Sequence, residues 1–157
     1  MRIRTLKIKG YKSFGPDEVI IPIQDRLAAF IGLNSAGKTS ALESLKKLFG
    51  SSISEREIYR QDFHVGKGEN PDEITERVLS IEVRIDFSED EQEAVPHFFS
   101  NMVVDDLLGD LYIRIRLEAT WKKSELIPQG EIDVKTYFIR TLSLIHISEP
   151  TRRTPIS

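Results

Sequence analysis

The chain has no cysteine among its 157 residues. That rules out a disulfide-braced scaffold and any metal site built on thiolates. It has no apolar run of the roughly 18 residues that a membrane-spanning helix needs, and no signal-type apolar segment behind a basic N-terminus. Nothing therefore points to a membrane or to export, and the expected location is the cytoplasm of a bacterium or an archaeon. Positive charge is not in excess either. With 22 Lys and Arg against 25 acids, the formal net charge is −3, so overall electrostatics do not call for nucleic acid. Histidine is scarce, and His64, His97 and His146 show no metal-ligand spacing. No nucleophile-elbow pattern joins a serine to a histidine and an aspartate. Asp105 and Asp106 are adjacent, and adjacent residues on a helix do not face each other as a catalytic carboxylate pair would. Internal repeats and low-complexity segments are also lacking.

The charge that is present is unevenly placed. Arg2, Arg4, Lys7, Lys9 and Lys12 precede the first acid, whereas Glu69 to Glu93 is dominated by acids with only Arg77 and Arg84 among them. Two solvated faces are the plain account; a basic edge near DNA or a nucleotide is the sharper one.

The strongest pattern is GLNSAGKT at Gly32 to Thr39, which fits G-x-x-x-x-G-K-[ST]. Each part has a physical task. Gly32 and Gly37 give the backbone conformations that a side chain forbids, so that the N–H groups of Asn34, Ser35 and Ala36 can turn inward around phosphates. The Lys38 ammonium would reach the β- and γ-phosphates of ATP. The Thr39 hydroxyl would take one site on Mg²⁺, with Ser40 beside it in the first helical turn. A following helix adds the positive end of its aligned peptide dipoles. The context is right for such a loop. Leu27-Ala28-Ala29-Phe30-Ile31 is an apolar run of the kind expected of a strand buried on both faces. Ala41, Leu42, Leu45, Leu48 and Phe49 fall at helical spacing, and Gly50 is placed to cap the helix.

Around the loop, period-two alternation marks strands. Leu6 and Ile8 lie in a first strand, and Val19-Ile20-Ile21 in a second that ends at Pro22. Ser51 to Glu76 is polar and reads as a surface excursion. Leu79, Ile81, Val83, Ile85 and Phe87 alternate strictly with Ser80, Glu82, Arg84 and Asp86, which predicts one buried and one wet face. Ser88 with Glu91 has capping-box spacing for a short acidic helix, and Pro96 to Leu108 reads as a second helix. Leu111 to Ala119 and Ile132 to Phe138 alternate again on either side of Pro128-Gln129-Gly130, which makes an antiparallel hairpin with Trp121 as an anchor near its turn. His64 in the polar segment reads as solvated rather than as a phosphate contact.

The segment Leu142 to Ser157, LSLIHISEPTRRTPIS, resembles the translation of a transposase-type sequencing adapter, whose fixed bases would encode Leu142 through Arg152. The expectation is a partial ATPase domain over 1–141 and a non-native tail over 142–157, with the natural reading frame interrupted near Thr141.

Two strands precede the loop, unlike adenylate kinases and small GTPases, and no N-K-x-D guanine motif is present. The basic first strand, the turn Tyr11-Lys12-Ser13-Phe14, the second strand and FIGLNSAGKTSALESLKKLF together resemble the N-terminal lobe of the SMC/RecF branch of ABC-type ATPases. The short interval to Arg60-Gln61-Asp62-Phe63-His64 and the strand ending Asp86-Phe87 resemble the OLD family of ATP-dependent endonucleases. The resemblance covers residues 1 to about 120. It implies an α/β P-loop NTPase fold, an ABC-type N-terminal lobe with a mixed or antiparallel sheet around a phosphate-loop helix. It implies that Lys12 and Ser13 lie near the nucleotide and that Gln61 or Asp62 approaches Mg²⁺ and the γ-phosphate. It further implies DNA as a partner of the parent protein, pairing of two lobes around ATP as a homodimer or larger assembly, and a nuclease in a C-terminal Toprim domain. An SMC-like repair or clamp ATPase without nuclease, and an inactive truncated fragment, are the alternatives. With no Walker B acid or signature segment in the sequence, the chain by itself is expected to bind ATP without turning it over.

Overall fold

Alternating apolar residues need a second layer to cover their inner face, and here one helix supplies it. A computed structural model describes residues 1–23, 28–33, 37–70, 73–88, 102–105 and 110–140, together with the backbone of 153–155. The strands are β1 (Arg2–Lys9), β2 (Val19–Pro22), β3 (Glu76–Asp86), β4 (Val104–Asp105), β5 (Leu111–Lys122), β6 (Glu131–Ile139) and β7 (Arg153–Pro155). They form one sheet in the order β2-β1-β3-β5-β6-β7, with β4 pairing β5 at its start. Every described pairing is antiparallel.

The inward set is the one the alternation marks. Leu6 and Ile8 of β1, Leu79, Ile81 and Val83 of β3, and Leu117, Ala119 and Trp121 of β5 are buried in one cluster. Each buried Leu, Ile or Val among them contributes about 1.5–3 kcal/mol by leaving water. Helix α1 (Lys38–Phe49) covers this face with Ala41, Leu45 and Leu48, while Leu42 and Phe49 on its other side stay 51% and 46% exposed. Gly50 closes α1 by donating its N–H to the Lys46 carbonyl at 2.8 Å. Its φ of −53° is not left-handed; a glycine is needed there because a Cβ would come within 2.6 Å of both the Lys46 carbonyl and Glu55. The Trp121 indole N–H donates to the Gln129 carbonyl at 2.7 Å across the hairpin turn.

Four sequence expectations need correction. Ala28 to Ile31 is not a strand, and Ile31 is 94% exposed. An apolar run becomes a strand only where neighbouring strands take up its N–H and C=O groups, and it has no strand partner among the described residues. Ser51 to Glu76 is not only a surface excursion. It contains α2 (Ile53–Arg56), opened by a Ser52/Glu55 capping box, and a 3₁₀ turn at Arg60–Asp62, and it sends Ile58, Asp62 and Phe63 into the core. Within the expected helix Pro96 to Leu108, Val104 and Asp105 are strand, because the start of β5 offers them an open edge. The rest of that span, apart from Met102 and Val103, and the acidic helix after Ser88 lie outside the described residues. The supposedly wet face of β3 carries Glu82, which is only 2% exposed.

Candidate functional site

The loop ends where α1 begins, at Gly37, whose φ of +86° is a left-handed conformation. A Cβ there would also press on Ser13 Oγ at 3.1 Å and Phe14 Cζ at 3.3 Å, so both conformation and space select glycine. The Gly37 carbonyl accepts the Ala41 N–H at 2.8 Å and starts the helix. Lys38, Thr39 and Ser40 form its first turn, which holds no acid, whereas Lys46 and Lys47 sit in the last turn. The dipole is thus complemented at its C-terminal end and left open to an anion at its N-terminal end.

Lys38 reaches back along the loop. Its ammonium donates to the carbonyls of Gly32 at 2.5 Å and Leu33 at 2.6 Å. An ammonium with three N–H donors can hold two carbonyls and still present one to a phosphate oxygen. Thr39 is exposed in the same turn. Asn34, Ser35 and Ala36 lie outside the described residues.

The turn Tyr11–Phe14 is fastened to the other side of Gly37. Ser13 Oγ donates to Ser40 Oγ at 3.1 Å. Lys12 has a left-handed φ of +48°, uncommon for a residue with a side chain, and its backbone is held from both sides. Its N–H donates to the Asp62 carbonyl at 2.8 Å, and its carbonyl accepts from His64 Nδ1 at 2.7 Å. A Tyr11–Phe63 bridge and a 2.9 Å bond from the His64 N–H to the Gly10 carbonyl complete the junction. His64 is therefore not a solvated loop residue; it fixes the Lys12 backbone.

The Lys12 ammonium lies 2.5 Å from Glu43 Oε2 on α1 and 3.7 Å from Asp62 Oδ1. Asp62, 2% exposed, is paired with Lys47 at 3.0 Å and accepts the Tyr59 N–H at 3.0 Å. These bonds tie it to α1 and to its own turn, while Gln61 beside it is exposed. The Tyr11 ring is fully buried, and burial, followed by the charges of Asp62 and Glu43, pushes its hydroxyl's pKa up. Among the described residues that hydroxyl has no hydrogen-bond partner.

A second charged cluster sits on the opposite face of the sheet. The register Lys7↔Glu82↔Arg116 sets three charges side by side. Glu82 Oε1 accepts from Arg114 Nε at 2.8 Å and Nη2 at 2.6 Å, Oε2 accepts from Arg116 Nε at 2.7 Å, and Lys7 lies at 3.9 Å. Burial alone would raise the Glu82 carboxyl, but Arg116, Arg114 and Lys7 outweigh it and hold the group below its ordinary value.

The structure brings Ser13 of the Tyr11–Phe14 turn against Gly37 and Ser40 at the start of α1, while Glu43, the Asp62–Lys47 pair and the Glu82 cluster escaped the sequence reading. Their partners lie 15 to 75 positions away, so no local spacing announces them. Among the described residues no three His, Asp or Glu side chains converge as a metal site, and no helix is long and apolar enough to cross a membrane.

A glycine-bounded loop feeding a helix beside an antiparallel sheet fits an α/β ATPase of the P-loop kind. Residues 1–148 match the family model of the AAA ATPase domain, and the chain belongs to that family, which implies nucleotide binding, typically with Mg²⁺. The fold is also similar to a solved structure described as the structural biochemistry of ATP-driven dimerization and DNA-stimulated activation of SMC ATPases. The match covers 88% of this chain and 69% of that one, at TM-score 0.53 and 18% identity. In all, 17 solved chains match. No curated protein does.

Proposed function

We propose that this chain binds Mg²⁺-ATP through Gly32 to Ser40 and serves as the N-terminal lobe of a DNA-processing ATPase of the OLD type. The observation that carries the reading is Lys38, whose ammonium closes the loop onto the start of a helix with no acid in its first turn. The donor set suits a triphosphate: a helix N-terminus and one ammonium, with the exposed Thr39 hydroxyl as a hard oxygen ligand for Mg²⁺. When bound, Mg²⁺ would neutralise charge on the β- and γ-phosphates. Gln61, exposed on the neighbouring turn, is the second residue proposed to face it, and Ser13 would brace the loop from outside through Ser40. Asp62 is given no metal role, since Lys47 and Lys12 already take up its charge.

DNA as a partner and pairing of two copies around ATP are part of the same reading. They draw support from the fold likeness to SMC ATPases described by ATP-driven dimerization and DNA-stimulated activation. The OLD assignment rests on Arg60-Gln61-Asp62-Phe63-His64 and Asp86-Phe87. An SMC-like ATPase without a nuclease is the second reading, and that same fold likeness favours it.

Calorimetric titration of the folded chain with Mg²⁺-ATP tests the nucleotide site. Lys38→Ala is expected to weaken binding by tenfold or more, as befits loss of a charge-assisted contact to phosphate. Equal affinity in the variant overturns the reading. Cleavage of DNA by the parent protein separates the nuclease from the non-nuclease alternative.

A further inference from the structure

We propose that Lys12 is a latch with two stations, one on Glu43, where the structure holds it, and one on the phosphates of a bound nucleoside triphosphate. Glu43 is then an internal anion that competes with the ligand. The inference deepens the nucleotide reading and rests on it.

Four observations carry it. First, the backbone of Lys12 is pinned at both its N–H and its carbonyl, so only the four-carbon side chain is left to move. Second, that side chain starts next to Ser13, which touches both Gly37 and Ser40, and so it leaves the chain at the very edge of the loop. Third, the pair it makes there is partly open to water. The Lys12 and Glu43 side chains are 29% and 39% exposed, and pairs so wetted contribute little. The other carboxylate near Lys12, that of Asp62, keeps Lys47 at 3.0 Å and the Tyr59 N–H when Lys12 leaves. Fourth, the buried Tyr11 hydroxyl has no hydrogen-bond partner among the described residues, and the charges of Asp62 and Glu43 add to burial in raising its pKa. It is a donor ready for the carboxylate that Lys12 gives up.

A triphosphate carries several charges on closely spaced oxygens, and a lysine ammonium meets them as a point charge. It outbids one half-exposed carboxylate. The Lys12–Glu43 pair therefore lowers affinity for the ligand by about the strength of that pair, which is the signature to look for.

The test is a double-mutant cycle on the full chain, with Mg²⁺-ATP affinity read by calorimetry and folding checked by circular dichroism. Glu43→Gln is expected to tighten binding about two- to fivefold, the range of a partly exposed ion pair. Lys12→Met is expected to weaken it about tenfold. In the Lys12→Met background, Glu43→Gln is expected to change nothing. A merely structural Glu43 would not give a gain on substitution. If binding depends on Lys38 but Glu43→Gln is neutral or weakens it, the latch is overturned and the nucleotide site stands. If Glu43→Gln tightens binding equally without Lys12, the effect is a general removal of negative charge and the latch is again overturned. Failure of the unaltered chain to bind ATP overturns both.

Discussion

Asp62 and Lys47 meet at 3.0 Å, a carboxylate 2% exposed against an ammonium whose side chain is 11% exposed. The pair joins the 3₁₀ turn that carries Gln61 to the helix that starts at Lys38. Removing one member of such a pair strands the other in a poorly hydrated place. Asp62→Ala is expected to lower unfolding stability by about 3 kcal/mol, with loss of the Tyr59 cap adding to the effect. Urea denaturation checks it, and a loss under about 0.5 kcal/mol would show that the pair is incidental.

The Glu82 cluster predicts an acid limb to stability. Its folded pKa is depressed by the arginines, so the stability it contributes is present above the ordinary glutamate value and is lost as pH falls through the lower, folded value. Thermal melts from neutral pH down into the acid range should show a steeper fall for the unaltered chain than for Glu82→Gln. At neutral pH, Glu82→Gln should cost about 3 kcal/mol, the low end for a broken buried pair, because both guanidinium groups keep some contact with water. Parallel acid limbs in the two proteins would refute the assignment.

Gly37→Ala tests the loop's geometry. The left-handed φ alone should cost about 1–2 kcal/mol, and the crowding against Ser13 and Phe14 adds to it. The melting temperature should drop, and Mg²⁺-ATP affinity should drop with it, because relief of the strain moves the first helical amides. An unchanged melt would mean that the turn at Gly37 is different in solution.

Truncation after Thr141 should leave the fold in place. The described part of the removed segment, β7, adds three residues of edge pairing to β6. A loss of about 1 kcal/mol or less, or roughly 2–4 °C in a chain of this size, is expected. A fall of about 10 °C or more would make that strand integral to the sheet.

Much of the architecture could be read from periodicity, because a residue's side of a strand or helix depends only on the spacing along the chain. Leu6 and Ile8, Leu79 to Val83, and Leu117 to Trp121 face the core as their alternation requires. Gly37, Lys38 and Thr39 open α1 where the glycine-lysine-threonine pattern puts them. The same reasoning failed for Ala28 to Ile31, because apolar character is a property of the residues whereas a strand also needs a neighbour to take up its backbone polar groups. It failed for Glu82 too. Alternation assigns that residue to the outer face but is silent on Arg114 and Arg116 being placed against it by the β3–β5 register. The sequence by itself thus determined which local shapes were favoured and where the glycine-lysine-threonine turn opens a helix. Only the tertiary structure decided that Glu43 and Asp62 share Lys12, that His64 holds its backbone, and that Lys47 faces inward, since charges from distant positions meet only once the strand order has been chosen.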